Sequence, residues 1–217
     1  MKFYSFIFFL LLSYSSTSQE TYYFNNQYTY KNITEFDNFH GEILKLYCNS
    51  ENSDFFLREK FYVKKNYKVY EFTDFMKKIW VPYIGNEITD ITNDRKITHQ
   101  AYTARFGDPS RSKSIWELNK IDSLNYILTQ YSNSSKKKII SKSHIEIDET
   151  SKGDNFKFLI NFWWNIKLDD NYPTGVVRKI TWYRKNKTTP NYTINLIDKK
   201  EVDYKLYINT NNVKTLR

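Results

Sequence analysis

Cysteine is almost absent from this 217-residue chain, in which Cys48 is the single example. One cysteine cannot form an internal disulfide, so the fold must be held by a hydrophobic core, and the chain is long enough to build one. We interpret Cys48 as a small buried hydrophobic residue. An intermolecular disulfide is the alternative.

Histidine is scarce as well, with three residues, and no Cys, His and carboxylate cluster has the spacing of metal ligands. Gly-rich phosphate loops, nucleophile elbows and paired-carboxylate motifs are also missing. We therefore expect no metal and no cofactor. Asp90 and His99 lie on either side of a predicted turn and are the candidates for a general acid and base. Catalysis by them is the less favoured reading.

Long apolar runs are missing after residue 18, so we expect no membrane-spanning segment and no integral membrane protein. Residues 1–18 combine Lys2, a short apolar run and small residues, which is typical of a secretory signal peptide cleaved before Gln19. An uncleaved anchor is the alternative. The polar tail 209–217 lacks a lipid-anchor signal. We predict a secreted, extracellular protein.

Acidic residues are outnumbered by basic ones, 24 to 33, which gives the chain a formal net charge of +9. Lys2 is the only charged residue of the leader, so about +8 remains after cleavage. Positive charge favours acidic partners. However, the lysines are spread along the chain, and the one tight run, 136–138, is interpreted as a solvated strand start. Nucleic acid is the wrong partner for a secreted chain.

Asparagine is abundant, and four Asn-x-Ser/Thr sequons occur in segments predicted to be loops or termini. In a eukaryotic secreted protein such asparagines are glycan acceptors and lie on the surface. The four candidates are Asn32, Asn133, Asn186 and Asn191.

Helical spacing of apolar residues predicts a helix over residues 35–48 and a short one over 73–80, which ends before Pro82. The strongest helix is predicted over 114–131, where Ser114 and Glu117 resemble a capping box. Residues 87–99 are predicted to form a β-hairpin. Residues 55–70 fit either a helical turn or an extended segment.

Alternating apolar residues predict strands in the second half of the chain. The clearest is 156–167, in which every even-numbered residue is apolar, so that one whole face of the predicted strand is apolar. Strands at 139–148, 176–185 and 192–198 are separated by short loops and should pair antiparallel. Residues 202–208 are either an edge strand or a tail.

These elements predict a leader at 1–18, an irregular arm at 19–34, a single domain at 35–208 and a polar tail at 209–217. Their order, helices followed by antiparallel strands, is an α+β pattern. With the hairpin 87–99 and the Ile-Thr-Trp-Tyr strand near residue 180, the chain resembles secreted NTF2-like domain proteins of the kind found in nematodes. The resemblance implies N-terminal helices packed on a curved antiparallel sheet, a cone with a cavity.

The resemblance also implies where a site would lie. Side chains on the apolar face of 156–167 and its neighbour would line the cavity, and the candidates are Phe158, Phe162, Trp164 and Trp182. Plain core packing is the alternative for all four. Leu159 and Trp163 would lie on the outer face, where NTF2-like domains often form homodimers.

Three functions are consistent with this sequence. The first is a secreted, glycosylated, non-enzymatic domain that binds a small apolar ligand or a protein partner. The second is a secreted NTF2-like lyase or isomerase that acts inside the cone. The third is a basic extracellular interaction factor built on an unrelated β-rich fold.

Overall fold

The computed structural model describes residues 19–34, 41–62, 66–85, 95–97, 102–103, 114–148, 154–164, 173–209 and 214–215. Within these residues the chain is almost entirely β, with its strands joined in one sheet. One nine-residue helix, α1 (Phe156–Trp164), accompanies them. The predicted α+β cone with N-terminal helices is therefore wrong. No helix in this part of the chain is long and apolar enough to cross a membrane.

The thirteen strands of this part of the chain are numbered in sequence order. They are β1 (Gln19–Asn32), β2 (Ile43–Cys48), β3 (Phe55–Tyr62), β4 (Tyr67–Asp74), β5 (Ile79–Gly85), β6 (Arg95–Ile97), β7 (Tyr102–Thr103), β8 (Ile115–Lys120), β9 (Asn125–Tyr131), β10 (Ile139–Asp148), β11 (Val176–Arg184), β12 (Tyr192–Asn209) and β13 (Lys214–Thr215).

The two longest strands, β1 and β12, pair antiparallel at the centre of the sheet, from Gln19 opposite Asn209 to Asn32 opposite Ile194. The sheet continues from β1 through β2, β3, β4, β5, β7 and β13, and from β12 through β11, β10, β9 and β8. The short strand β6 pairs with β12 in parallel. The predicted irregular arm is thus a central strand, and residues 202–208 belong to its partner.

Apolar side chains are buried on both faces of the central strands, in two clusters. The first core lies around α1 and includes Tyr28, Tyr30, Leu46, Phe56, Leu128, Ile145, Phe158, Val177 and Ile180. The second core includes Tyr22, Phe24, Tyr47, Leu57, Phe72, Val81, Tyr204 and Leu206.

Strand β1 contributes to both cores because its pairing register shifts between Phe24 and Asn26. Such an irregularity bends a strand and increases its twist. On the N-terminal side of this shift, the start of β1 contacts β4, where the ring centroids of Tyr22 and Phe72 are 4.5 Å apart. The two faces of one strand pair therefore hold the two cores together.

Three predicted helices are strands instead. Residues 35–48 contain β2 in their described part, and residues 73–80 contain the end of β4, a turn and the start of β5. Residues 114–131 form the β8–β9 hairpin. Apolar residues in these segments recur at helical spacing, but pairing with neighbouring strands determined the structure.

The turn of the β8–β9 hairpin shows what outweighed the helical pattern. Asp122 Oδ1 accepts hydrogen bonds from the backbone N–H groups of Leu124 and Asn125, both at 2.9 Å. Carboxylates in such positions favour turns over helix interiors. Glu117, the expected capping partner of Ser114, instead forms an ion pair with Lys136 at 3.1 Å.

The strand predicted over 156–167 begins as the helix α1. Phe156, Phe158, Leu159 and Ile160 are all fully buried, so odd and even positions face the core alike. Lys157 is half-buried, so the apolar alternation of the sequence does not separate a buried face from an exposed face in the described part of α1. Asp154 starts the helix, because its Oδ1 accepts a hydrogen bond from Phe156 N at 3.1 Å.

The three strands predicted at 139–148, 176–185 and 192–198 are confirmed. Strands β10, β11 and β12 occupy the segments predicted for them and pair antiparallel. Residues 55–70 contain β3 and the start of β4, which form an antiparallel hairpin. Most of the hairpin predicted at 87–99 lies outside the described residues, and its described part, β6, pairs in parallel with β12.

A closed ring of buried hydrogen bonds ties α1 to the sheet. The Tyr30 hydroxyl donates to the Val177 carbonyl at 2.7 Å, and Asn155 Nδ2 donates to the Tyr30 hydroxyl at 2.7 Å. Val177 N completes the ring by donating to Asn155 Oδ1 at 2.8 Å. All three residues are fully buried, so each polar group depends on the other two.

Replacing Tyr30 with phenylalanine removes the hydroxyl from this ring and leaves the Asn155 amide and the Val177 carbonyl without that partner. We expect a loss of about 1–3 kcal/mol in the free energy of unfolding, measured by urea denaturation. Tyr23→Phe is the control, since Tyr23 is 52% exposed and should change stability by less than about 0.5 kcal/mol. Equal stability of the two variants would contradict the assignment.

Four buried tyrosines make the stability of the fold depend on pH. Burial raises the pKa of Tyr22, Tyr28, Tyr30 and Tyr47 above the usual value of 10. Nearby carboxylates add to the effect, Glu20 and Asp74 for Tyr22 and Glu59 for Tyr47. The folded protein therefore keeps these protons at pH values where the unfolded chain has lost them.

We expect stability to be complete below pH 10 and to fall as the pH rises above 10, by about 1.4 kcal/mol per pH unit for each of the four tyrosines. Burial lowers the pKa of Arg58 to about 10, which has the opposite sign and offsets one of the four. Urea denaturation between pH 9 and 11 measures the slope. Tyr28→Phe should make it shallower, and a flat profile would refute the tyrosine assignment.

Candidate functional site

A concave basic surface of about 610 Å³ lies at the end of strands β10 and β11, between the turn before β10 and the turn after β11. We call it the basic groove. The six cations that line it are Lys137, Lys138, Lys142, Arg184, Lys185 and Lys187.

No carboxylate is among the described residues that line the basic groove. Acidic residues nearby are already paired with other lysines: Glu117 with Lys136 at 3.1 Å, and Glu146 with Lys179 at 3.3 Å. In the part of the chain that the structure describes, none of the six groove cations forms an ion pair. The groove is therefore a region of uncompensated positive charge, which attracts anions.

Strand pairing holds the cations of the groove in place. Lys142 lies opposite Tyr183, and Ser141 lies opposite Arg184. The pairing extends one step further, because Lys185 N donates to the Ile140 carbonyl at 2.9 Å. The backbone under the lysines is thus fixed while their long side chains remain exposed and able to adjust.

The turn after β11 is held by its own hydrogen bonds. Lys187 N donates to the Arg184 carbonyl at 3.1 Å, and Asn191 N donates to the Trp182 carbonyl at 2.8 Å. Asn191 Oδ1 also accepts a bond from Arg184 N at 3.0 Å. These bonds set the position of Lys185, Asn186 and Lys187 relative to β10.

Two rings add a partly apolar surface to the groove. His144 and Tyr183 contact edge to face, with centroids 5.3 Å apart, and both line the groove. Tyr183 is half-buried and His144 is exposed. Aromatic rings beside cations suit a ligand with both apolar and anionic parts.

Of the four residues predicted to line a cavity, the structure describes the side chains of Phe158 and Trp182. Phe158 is fully buried in the first core, and Leu159, predicted as a dimer contact, is buried beside it. Trp182 is half-buried, with the Arg184 guanidinium 5.7 Å from its ring. The side chains of Phe162, Trp163 and Trp164 lie outside the described residues. So do Asp90 and His99.

Cys48 is fully buried in the first core, as predicted. Burial raises the pKa of its thiol well above the usual value, and the negative charge of Asp154 raises it further. The thiolate is the nucleophilic form of cysteine. Cys48 is therefore a packing residue and is inaccessible to a second chain.

Two of the four sequons are exposed, as a glycan acceptor must be, and a third is partly exposed. Asn133 and Asn186 are exposed in turns, and Asn191 is half-buried beside the second turn. Asn32 is the exception, since its side chain is 1% exposed and its Oδ1 accepts a bond from Thr34 N at 3.0 Å. The prediction that Asn32 lies on the surface is wrong, because β1 is a central strand.

A second concave surface, of about 360 Å³, contains Glu20 and Asp74 near the start of β1. The Tyr22 hydroxyl lies 2.7 Å from Glu20 Oε2 and 3.0 Å from Asp74 Oδ2, and Lys77 pairs with Glu20. Burial raises the pKa of Glu20, but hydrogen bonds from Lys77 and Tyr22 outweigh it and lower the pKa overall. The carboxylates of Glu20 and Asp74 are thus engaged in contacts that stabilise the folded chain.

No group of three or more potential metal ligands occurs among the described residues. No protein-family model matches the chain, and no curated protein matches it. The basic groove therefore has to be interpreted from its own chemistry.

The sequence contained part of the signal for this groove. The lysine run 136–138 is evident in the sequence, but Lys136 is paired with Glu117. Lys137 and Lys138 line the groove together with residues 183–188, which are distant in the sequence. Lys142 and Lys187 come together only because β10 and β11 are antiparallel neighbours. Knowing that register would have been necessary to find the site.

Proposed function

We propose that this protein is a secreted, non-enzymatic binding protein whose basic groove holds a stretch of a sulfated glycan chain. The observation that carries the proposal is the set of six cations around one concave surface, none of them paired with a described carboxylate. This agrees with the third hypothesis from the sequence, a basic extracellular interaction factor on a β-rich fold.

The number and arrangement of the cations favour a polymer over a small anion. Lys137 and Lys138 lie before β10, Lys142 lies within it, and Lys185 and Lys187 lie in the turn after β11. A single sulfate or phosphate is too small to contact all of these side chains. A chain with repeated anionic groups can engage several of them at once.

The predicted leader at 1–18 supports a glycan as the polymer. Nucleic acid offers similar charge, but a secreted protein meets sulfated glycans at cell surfaces and in the extracellular matrix. The rings of His144 and Tyr183 would contact the apolar face of a sugar ring. Binding to nucleic acid is kept as an outcome of the test.

A small apolar ligand is not proposed, because the described apolar side chains of α1 are packed in the first core. Phe156, Phe158 and Ile160 are each at most 1% exposed. The dimer predicted through Leu159 is not proposed either, since Leu159 is in the core.

Charge reversal in the groove tests the proposal. We expect the Lys142→Glu, Lys187→Glu double variant to bind heparin more weakly than the unmodified chain produced without glycosylation. The slope of log Kd against log salt concentration should become shallower by about two, one for each lost cation contact. Isothermal calorimetry or heparin-column elution at several salt concentrations measures both quantities.

Lys78→Glu, Lys200→Glu is the matched control, because it makes the same change in net charge at exposed lysines outside the groove. If both double variants lose the same affinity, binding depends on net charge alone and the proposal fails. Tighter binding to single-stranded DNA than to heparin at equal salt would assign the groove to nucleic acid instead.

A further inference from the structure

We propose that Asn186 is a glycosylation site that controls the basic groove, such that a glycan on Asn186 and a bound polyanion exclude each other. This inference rests on the proposed function. It assigns to one sequon a role that the other three cannot have.

The sequon at Asn186 is built into the groove itself. Asn186, Lys187 and Thr188, the three residues that define it, all line the groove. Asn186 is exposed and has a backbone φ of +59°, a left-handed conformation that asparagine tolerates in turns. A glycan on its side chain therefore begins at the surface that the polyanion would occupy.

The hydrogen bonds of the turn fix the backbone position from which a glycan on Asn186 would project. Lys185 N donates to Ile140 O at 2.9 Å on one side, and Lys187 N donates to Arg184 O at 3.1 Å on the other. The backbone on both sides of Asn186 is thus anchored to β10 and β11.

The other sequons differ in position. Asn133 is exposed in the turn before β10 but does not line the groove, and its Oδ1 accepts a bond from Ser135 Oγ at 2.6 Å. Asn191 is half-buried and its Oδ1 is bonded to Arg184 N. Asn32 is buried. Asn186 is the one sequon that is both exposed and part of the groove.

The modification is ordinary N-glycosylation in a secretory pathway. A lipid-diphosphate-linked oligosaccharide is the donor, and a bond forms between Asn186 Nδ2 and C1 of the first sugar. The sugar–phosphate bond breaks, and the lipid diphosphate leaves as the amide loses one proton. The attached sugars are bulky and cover Lys185 and Lys187, so the lysines can no longer reach a polyanion.

The test uses the full chain secreted from eukaryotic cells, with glycan occupancy at each sequon measured by peptide mass spectrometry. On a heparin column, molecules with a glycan on Asn186 should not be retained at the salt concentration that still retains Asn186→Gln. Thr188→Ala, which removes the same sequon but keeps Asn186, should be retained like Asn186→Gln. Asn133→Gln is the matched control and should elute like the unmodified sequence.

Absence of a glycan on Asn186 in the secreted protein would overturn the inference. So would equal retention of glycosylated protein and Asn186→Gln. Failure of the proposed function is a separate result: unglycosylated protein and its Lys142→Glu, Lys187→Glu variant would then bind heparin equally. If that variant loses binding while Asn186→Gln changes nothing, the groove stands and the glycan control alone is refuted.

Discussion

The ring of hydrogen bonds among Tyr30, Asn155 and Val177 is the contact on which the arrangement of this fold depends. It joins the central strand β1, the start of α1 and the start of β11 at a point from which water is excluded. Apolar packing alone is non-directional and would allow the helix to slide over the sheet. Buried polar groups that satisfy only one another permit a single arrangement.

That arrangement also determines what the groove can be. Since β11 is held to the core at Val177, its other end carries Arg184 and the following turn outward beside β10. The lysines there repel one another, which costs the protein some stability that a bound anion would restore. A rigid backbone with flexible charged side chains suits a polymer whose anionic groups vary in spacing. Sequon Asn186 belongs to the same turn, so the proposed recognition and the proposed modification would share one structural element.

The two least successful predictions have a common cause. Residues 114–131 carry apolar residues at helical spacing, yet Asp122 forms a turn and Trp116, Leu118 and Leu128 point to the first core from two strands. Residues 156–164 alternate well, yet they form a helix whose described side chains are buried on both parities. Periodicity identifies an element by the difference between its exposed and buried sides. It misleads where pairing with distant parts of the chain decides the structure, as in 114–131, or where most side chains of a segment are buried, as in 156–160.

From the sequence alone follow the absence of an internal disulfide, the excess of basic residues, the burial of Cys48, and the antiparallel strands of the second half with their loops. These depend on composition or on local turn residues, which need no distant partner. Only the tertiary structure decided that residues 19–32 are central, that α1 is a helix, and that Lys142 and Lys187 share a groove. Each of these depends on pairing between residues far apart in the chain, and the register of that pairing is set by which faces the whole molecule can bury.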